Sequence, residues 1–149
     1  MTTYREFQFP VSIRWRGGRL ARADATEKES LEIATPPEFR DGIAGYWSPE
    51  DLLVAATASC FALTLAAVAE RRGVPLLDVS IGATGHMGRR QNGRLGFTVI
   101  ELTAAIETLP GDEEAVAVAA KLAQEHCLVE HALDVPVRVA VDVTAVAAV

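Results

Sequence analysis

The sequence predicts an α+β protein, and three observations carry that expectation. Segments near both ends alternate apolar and polar residues with the period of a strand, as in Val11-Ser12-Ile13-Arg14-Trp15-Arg16. Between them, Leu52 to Ala69 holds no charged side chain and is bracketed by helix start and stop signals. The resulting order of strands, long helix, hairpin, short helix and strand lacks the regular alternation of a doubly wound sheet.

The first strand reaches Gly17-Gly18, which offers a turn, so the chain opens on a hairpin with a second strand from Gly18 to Ala23. A third strand covers Ser30 to Ala34 before Pro36, Pro37 and the glycines of Arg40 to Gly45 impose a loop. Ser48 is placed to cap a helix, Pro49 suits its first position, and Asp51 completes a shortened capping box. That helix spans about 49–72, because Gly73 is a C-terminal stop, Pro75 forbids continuation, and Arg71 and Arg72 complement the dipole.

Leu77 to Thr84 and Leu95 to Thr108 read as a second hairpin around a Gly88 to Arg94 turn. Pro110-Gly111 then introduces Asp112 as a cap for a short helix of about 112–126, with Val116, Ala119, Ala120 and Ala123 on its apolar face. Val135, Val137, Val139, Val141 and Val143 mark a closing strand with one apolar face. At 149 residues the expectation is a single domain, 1–149.

The long helix could be mistaken for a membrane span by length. Its many alanines, with Thr57, Ser59, Cys60 and Thr64 among them, suit a helix buried in protein instead. Such a helix is apolar around its whole circumference, and strands from one small chain shield only part of it. A homodimer with the long helices packed together is the simplest cover.

A formal charge of -6 without a sustained Lys/Arg cluster argues against nucleic acid or an anionic membrane as partner. Arg89, Arg90 and Arg94 read as a solvated hairpin tip. Met1 to Phe9 carries charges and no apolar core of a secretory signal, so the expected location is cytoplasmic. There, two cysteines point to transient, chemical pairing rather than a permanent bridge.

Judged by its small apolar neighbours alone, Cys60 is more often an inert core residue than a nucleophile. Cys127 stands at the end of the short helix, far from Cys60 in sequence, which excludes a CxxC motif and leaves open two thiols joined by folding. His126, His131 and His86 lack metal-ligand spacing, so no metal is expected. Neither a Walker loop nor a dinucleotide fingerprint is present, so no cofactor is expected, and Ser48 and Ser59 lack the context of a hydrolase nucleophile.

The run Tyr46-Trp47-Ser48-Pro49-Glu50-Asp51-Leu52-Leu53, followed by Ala58-Ser59-Cys60-Phe61, resembles the long-helix signature of the OsmC/Ohr family. Cys127-Leu128-Val129, with Ala132-Leu133 and the closing strand, resembles that family's second-cysteine segment, and the likeness runs from about Val11 to Thr144. The resemblance implies the family's fold as an intertwined homodimer. It also implies a thiol peroxidase for organic, including fatty-acid, hydroperoxides, in which Cys60 attacks the peroxide and Cys127 closes a disulfide. A dithiol, small or lipoyl-type, would restore it.

The same resemblance implies an arginine held by a glutamate beside Cys60. Glu50 matches the glutamate, Arg19 resembles the arginine of the Ohr branch, and Arg40 lies where the OsmC branch places its own; Arg19 is preferred. Without the resemblance, Glu50 serves equally as a first-turn acid and either arginine as a solvated turn residue. Ten residues of helix separate Glu50 from Cys60, a rise of about 15 Å, so each site is expected to be completed across the dimer interface. Phe39, Tyr46 and Trp47 are candidates to line an apolar pocket or simply to pack. Two other readings remain: a non-enzymatic OsmC-like dimer that binds a small apolar ligand or senses redox state, and, more remotely, thiol transfer or hydrolysis at Cys60.

Overall fold

The computed structural model describes residues 5–147, so the reading of Met1 to Tyr4 lies outside the described residues. The α+β class is observed, with two three-stranded sheets and a long helix. The chain falls into two compact units, Met1–Leu52 and Leu53–Val149.

In the first unit, β1 (Ser12–Gly17), β2 (Leu20–Asp24) and β3 (Leu31–Ala34) form an antiparallel sheet in that order. Gly17 and Gly18 both take positive φ, of 103° and 53°, so the tight turn between β1 and β2 needs residues without a Cβ. After β3 the loop folds on itself through Phe39 N–H to Pro36 O at 3.0 Å and Ile43 N–H to Thr35 O at 2.9 Å. A Cβ on Gly42 would overlap the Pro36 carbonyl, so this loop closes only around glycine.

The start of α1 (Pro49–Arg72) follows from its capping residues. Asp51 N–H donates to Ser48 Oγ at 3.0 Å while Ser48 N–H donates to Asp51 Oδ2 at 2.9 Å, the reciprocal pair expected from the sequence. The far end closes through Gly73, with φ of 65°. Val74 N–H reaches Ala69 O at 2.9 Å and Gly73 N–H reaches Glu70 O at 3.1 Å, the Schellman pattern of hydrogen bonds.

In the second unit β4 (Asp78–Arg89) and β5 (Leu95–Thr108) make a long antiparallel hairpin, and β6 (Val137–Ala145) adds to β5 in parallel. β4 continues five residues past Thr84, where the sequence reading ended it: His86, Met87, Gly88 and Arg89 still find partners on β5 across a bulge at His86/Met87. Between β5 and β6 lie α2 (Glu113–Glu125) and α3 (Leu128–His131). The expected cap at Asp112 is not made. Its side chain bonds no helix N–H, and Glu113 instead accepts from Gly111 N–H at 2.8 Å. The short helix ends at Glu125, and α3 is an element the sequence reading did not contain.

The core follows the two periodicities. Every second residue of β5, Ile100, Leu102, Ala104 and Ile106, is buried and clusters with Phe61, Leu65 and Val68 of α1 and with Val116, Ala119, Ala120 and Ala123 of α2. Glu101, Thr103 and Glu107 between them are exposed, so this sheet covers one face only. α1 is long and apolar enough to cross a membrane by length and composition, with mean hydropathy 2.2. Its buried stripe packs instead into the β5 and α2 core. Its opposite side lies open in the single chain, where Leu63 is 72 % exposed.

Helix α1 approaches β4 closely at Gly85. A Cβ there would lie 2.6 Å from both Phe97 Cε1 and Val54 Cγ2, well inside van der Waals contact. Gly85→Ala is therefore expected to lower stability by about 1–3 kcal/mol through overpacking, read as a drop in Tm by calorimetry. An unchanged or raised Tm would show that Phe97 and Val54 yield without strain.

Candidate active site

Cys60 sits midway along α1, half-buried, and Cys127 lies in the bend between α2 and α3, only 1 % exposed. The bend is what turns the second sulfur inward. His126 leaves the α2 helix with φ -106° and ψ 6°, and Cys127 adopts an extended backbone with φ -72° and ψ 104° as the residue preceding α3. Its carbonyl accepts from His131 N–H at 3.1 Å, closing the short helix. His126 on one side is exposed while Cys127 is buried, so the two neighbours face different surroundings.

Folding brings the two thiols, 67 positions apart, near enough that each shifts the acidity of the other. Both are free. Burial pushes the Cys60 thiol up, but four donors outweigh it: the Val129 backbone N–H, the Cys127 thiol, the Thr64 hydroxyl and the Leu128 backbone N–H. Its pKa consequently lies below the ordinary thiol value. Cys127 moves the other way, to about 11. Burial is the main cause, the Glu130 N–H opposes it, and the adjacent Cys60 sulfur and the Glu130 carboxylate add to it. The environments thus divide the pair into one thiol poised to ionise and one held protonated.

The remaining candidates belong to the first unit. Arg19, in the turn after β1, places Nη2 3.8 Å from Asp41 Oδ2, and Arg40 places Nε 3.8 Å from the same oxygen. Asp41 holds a left-handed backbone with φ of 61° between them. The Arg40 side chain is 94 % exposed and that of Arg19 50 %. Glu50, in the first turn of α1, has a buried Oε2 with no hydrogen-bond partner among the described residues. Among the described residues, both arginines pair with Asp41, and no ion pair of the kind the resemblance implies joins either of them to Glu50. Asp41, which the sequence reading did not single out, is the carboxylate that both arginines meet.

Tyr46 and Trp47 are 45 % and 51 % exposed, while the Trp47 backbone is tied to the sheet by donation from Ala34 N–H at 2.8 Å. His86 meets Glu101 at 3.5 Å on the exposed face of the hairpin. Sequence reasoning also missed the Leu128 and Val129 amides at Cys60. They act through backbone N–H groups, which no side-chain pattern announces, and α3 is too short to show periodicity.

Comparison with known proteins agrees with this architecture. The structure resembles an OsmC-like protein of unknown function from Vibrio cholerae at a TM-score of 0.84, with 15 % identity, covering 92 % of this chain and 100 % of the other. An organic hydroperoxide resistance protein from Elizabethkingia anophelis superposes at 0.78 with 20 % identity, over 95 % and 100 % of the two chains. Another organic hydroperoxide resistance protein, from Legionella pneumophila, does so at 0.76 with 24 % identity, over 93 % and 99 %. The sequence profile of OsmC-like proteins matches residues 41–142, a span that contains both cysteines, and the chain belongs to the OsmC-like protein family.

Proposed function

We propose that this protein is a thiol peroxidase that reduces organic hydroperoxides, with Cys60 as the attacking sulfur and Cys127 as the resolving one. The observation that carries the reading is the pairing of two free thiols with opposite acidities in a single site. The names of the hydroperoxide resistance proteins that share the fold support the substrate class.

The chemistry balances without a metal or organic cofactor. The Cys60 thiolate attacks the terminal oxygen of ROOH, the O–O bond breaks, and RO⁻ takes a proton to leave as ROH while Cys60 becomes a sulfenic acid. Cys127 then attacks that sulfur, its proton joins the departing hydroxyl as water, and a Cys60–Cys127 disulfide forms. An external dithiol, a small molecule or a lipoyl-type group, exchanges with the disulfide and returns both thiols. A neutral Cys127 during the first step keeps a second negative charge away from the nucleophile.

A homodimer belongs to the same proposal. Phe7, Phe9, Val11, Ile13 and Trp15 recur at every second position and are 61–87 % exposed, and α1 leaves Leu63 uncovered. Apolar area of this extent is more than a soluble monomer usually leaves in water. A second copy would cover it and supply Arg19 or Arg40, with Glu50, to the Cys60 of its partner; the unpartnered Glu50 Oε2 suits an incoming guanidinium.

The test is to mix reduced protein with cumene hydroperoxide, count free thiols and weigh the product. Loss of both thiols, with a chain lighter by two hydrogens and no intermolecular crosslink, is expected. Both thiols surviving excess peroxide would sink the enzymatic reading and leave ligand binding by the same dimer as its successor.

A further inference from the structure

Three hydroxyl side chains lie within the middle of α1, and they do not behave alike. Thr57 Oγ1 donates to Leu53 O at 2.9 Å and Ser59 Oγ donates to Ala55 O at 2.7 Å, each to the carbonyl one turn back. This is the usual resort of a hydroxyl inside a helix. The equivalent acceptor for Thr64 is the Cys60 carbonyl, and no such bond is made among the described residues. Thr64 Oγ1 instead stands 4.0 Å from Cys60 Sγ.

We propose that Thr64 is a positioning residue of the thiol site, whose hydroxyl donates to the Cys60 sulfur in its ionised form and so favours the thiolate. The inference rests on Cys60 being the reacting sulfur. A protonated thiol can give or accept a hydrogen bond, whereas a thiolate only accepts, so the hydroxyl favours the ionised state over the neutral one. Thr64 is half-buried, which restricts the solvent that could replace it. Among the described residues, the groups outside α1 that act on the Cys60 thiol are the Cys127 thiol and the Leu128 and Val129 amides, with the Glu130 carboxylate acting on Cys127. Thr64 adds a donor from α1 itself, on the turn following the sulfur.

Thr64→Val keeps the shape and the β-branch and removes the donor; Thr64→Ser keeps the donor and removes the methyl. The measurement is the pH profile of Cys60 alkylation by iodoacetamide, followed by mass spectrometry of the labelled peptide. In Thr64→Val the midpoint should move to higher pH, and labelling near neutral pH should slow by about three- to tenfold, with the high-pH plateau unchanged. Thr64→Ser should follow the parent profile. Should the valine variant not fold, Thr64→Ala removes the same hydroxyl. A hydroxyl-free variant that superimposes on the parent, or a serine variant shifted as far as valine, would overturn the proposal and leave Thr64 a packing residue. Alkylation uses no peroxide, so a protein that fails to reduce hydroperoxide is told apart from one in which Thr64 has no influence.

Discussion

Cys60→Ser should lose hydroperoxide reduction by at least about 10³-fold, because a serine hydroxyl in this half-buried helix has neither the acidity nor the polarisable lone pairs to attack an O–O bond. Cys127→Ser should fail differently. Its Cys60 still attacks, so with one equivalent of peroxide one equivalent of alcohol forms per chain and the reaction halts at the sulfenic acid; excess peroxide carries it on to the sulfinic and sulfonic acids, each step releasing a further equivalent of alcohol. A trapping reagent for sulfenic acid should therefore label Cys127→Ser after peroxide and not Cys60→Ser. Thiol counts, alcohol released per chain and the mass of each variant distinguish the two. Undiminished consumption by Cys60→Ser would remove that sulfur from the nucleophile's role. Continued turnover by Cys127→Ser would mean that an external thiol resolves the sulfenic acid directly.

The sequence made the helices and strands with strong local signals easy to read. Ser48 and Asp51 stand three residues apart at the start of α1 and cap each other whatever else the chain does, and Gly73 stops α1 for reasons confined to its own backbone. β5 was legible because Ile100, Leu102, Ala104 and Ile106 obey a strict period of two. The errors arose where long-range contacts decide. β4 overruns its expected end because β5 offers partners as far as Leu95, although Gly88 looked like a turn residue. Asp112 resembled a cap by type and position, yet Glu113 one residue later reaches the Gly111 amide.

At the site, the sulfurs could be named from the sequence but their unlike environments could not. Cys60 sits among alanines that by themselves argue for a raised pKa, and three of the four donors that reverse the sign come from the segment after α2, more than sixty residues away, the fourth being Thr64 on α1 itself. The arginines were legible only as candidates. Asp41 draws both of them through a left-handed backbone conformation, which a sequence pattern does not reveal for a non-glycine residue.

The largest contrast expected in solution is between the two thiols themselves. Iodoacetamide reacts with thiolates, so each labelling rate rises with pH and levels off above the pKa of its own sulfur. Cys60 should reach half its plateau below the ordinary thiol value, and Cys127 only near pH 11. Two pH units below that midpoint about one Cys127 in a hundred is ionised, and its near-complete burial slows the reagent further. Cys60 should thus be labelled at least about 100-fold faster over the mildly alkaline range, a ratio read from the two modified peptides. Cys60→Ser refines the test, because the sulfur that raises the Cys127 pKa by charge and hydrogen bonding is gone while burial, the first cause, remains. Its Cys127 should titrate at lower pH than in the parent and still above an ordinary thiol. Equal labelling of both cysteines in the parent, or faster labelling of Cys127, would mean that the amides of Leu128 and Val129 do not reach Cys60 in solution, and the assignment of attacking and resolving roles would have to be exchanged or abandoned.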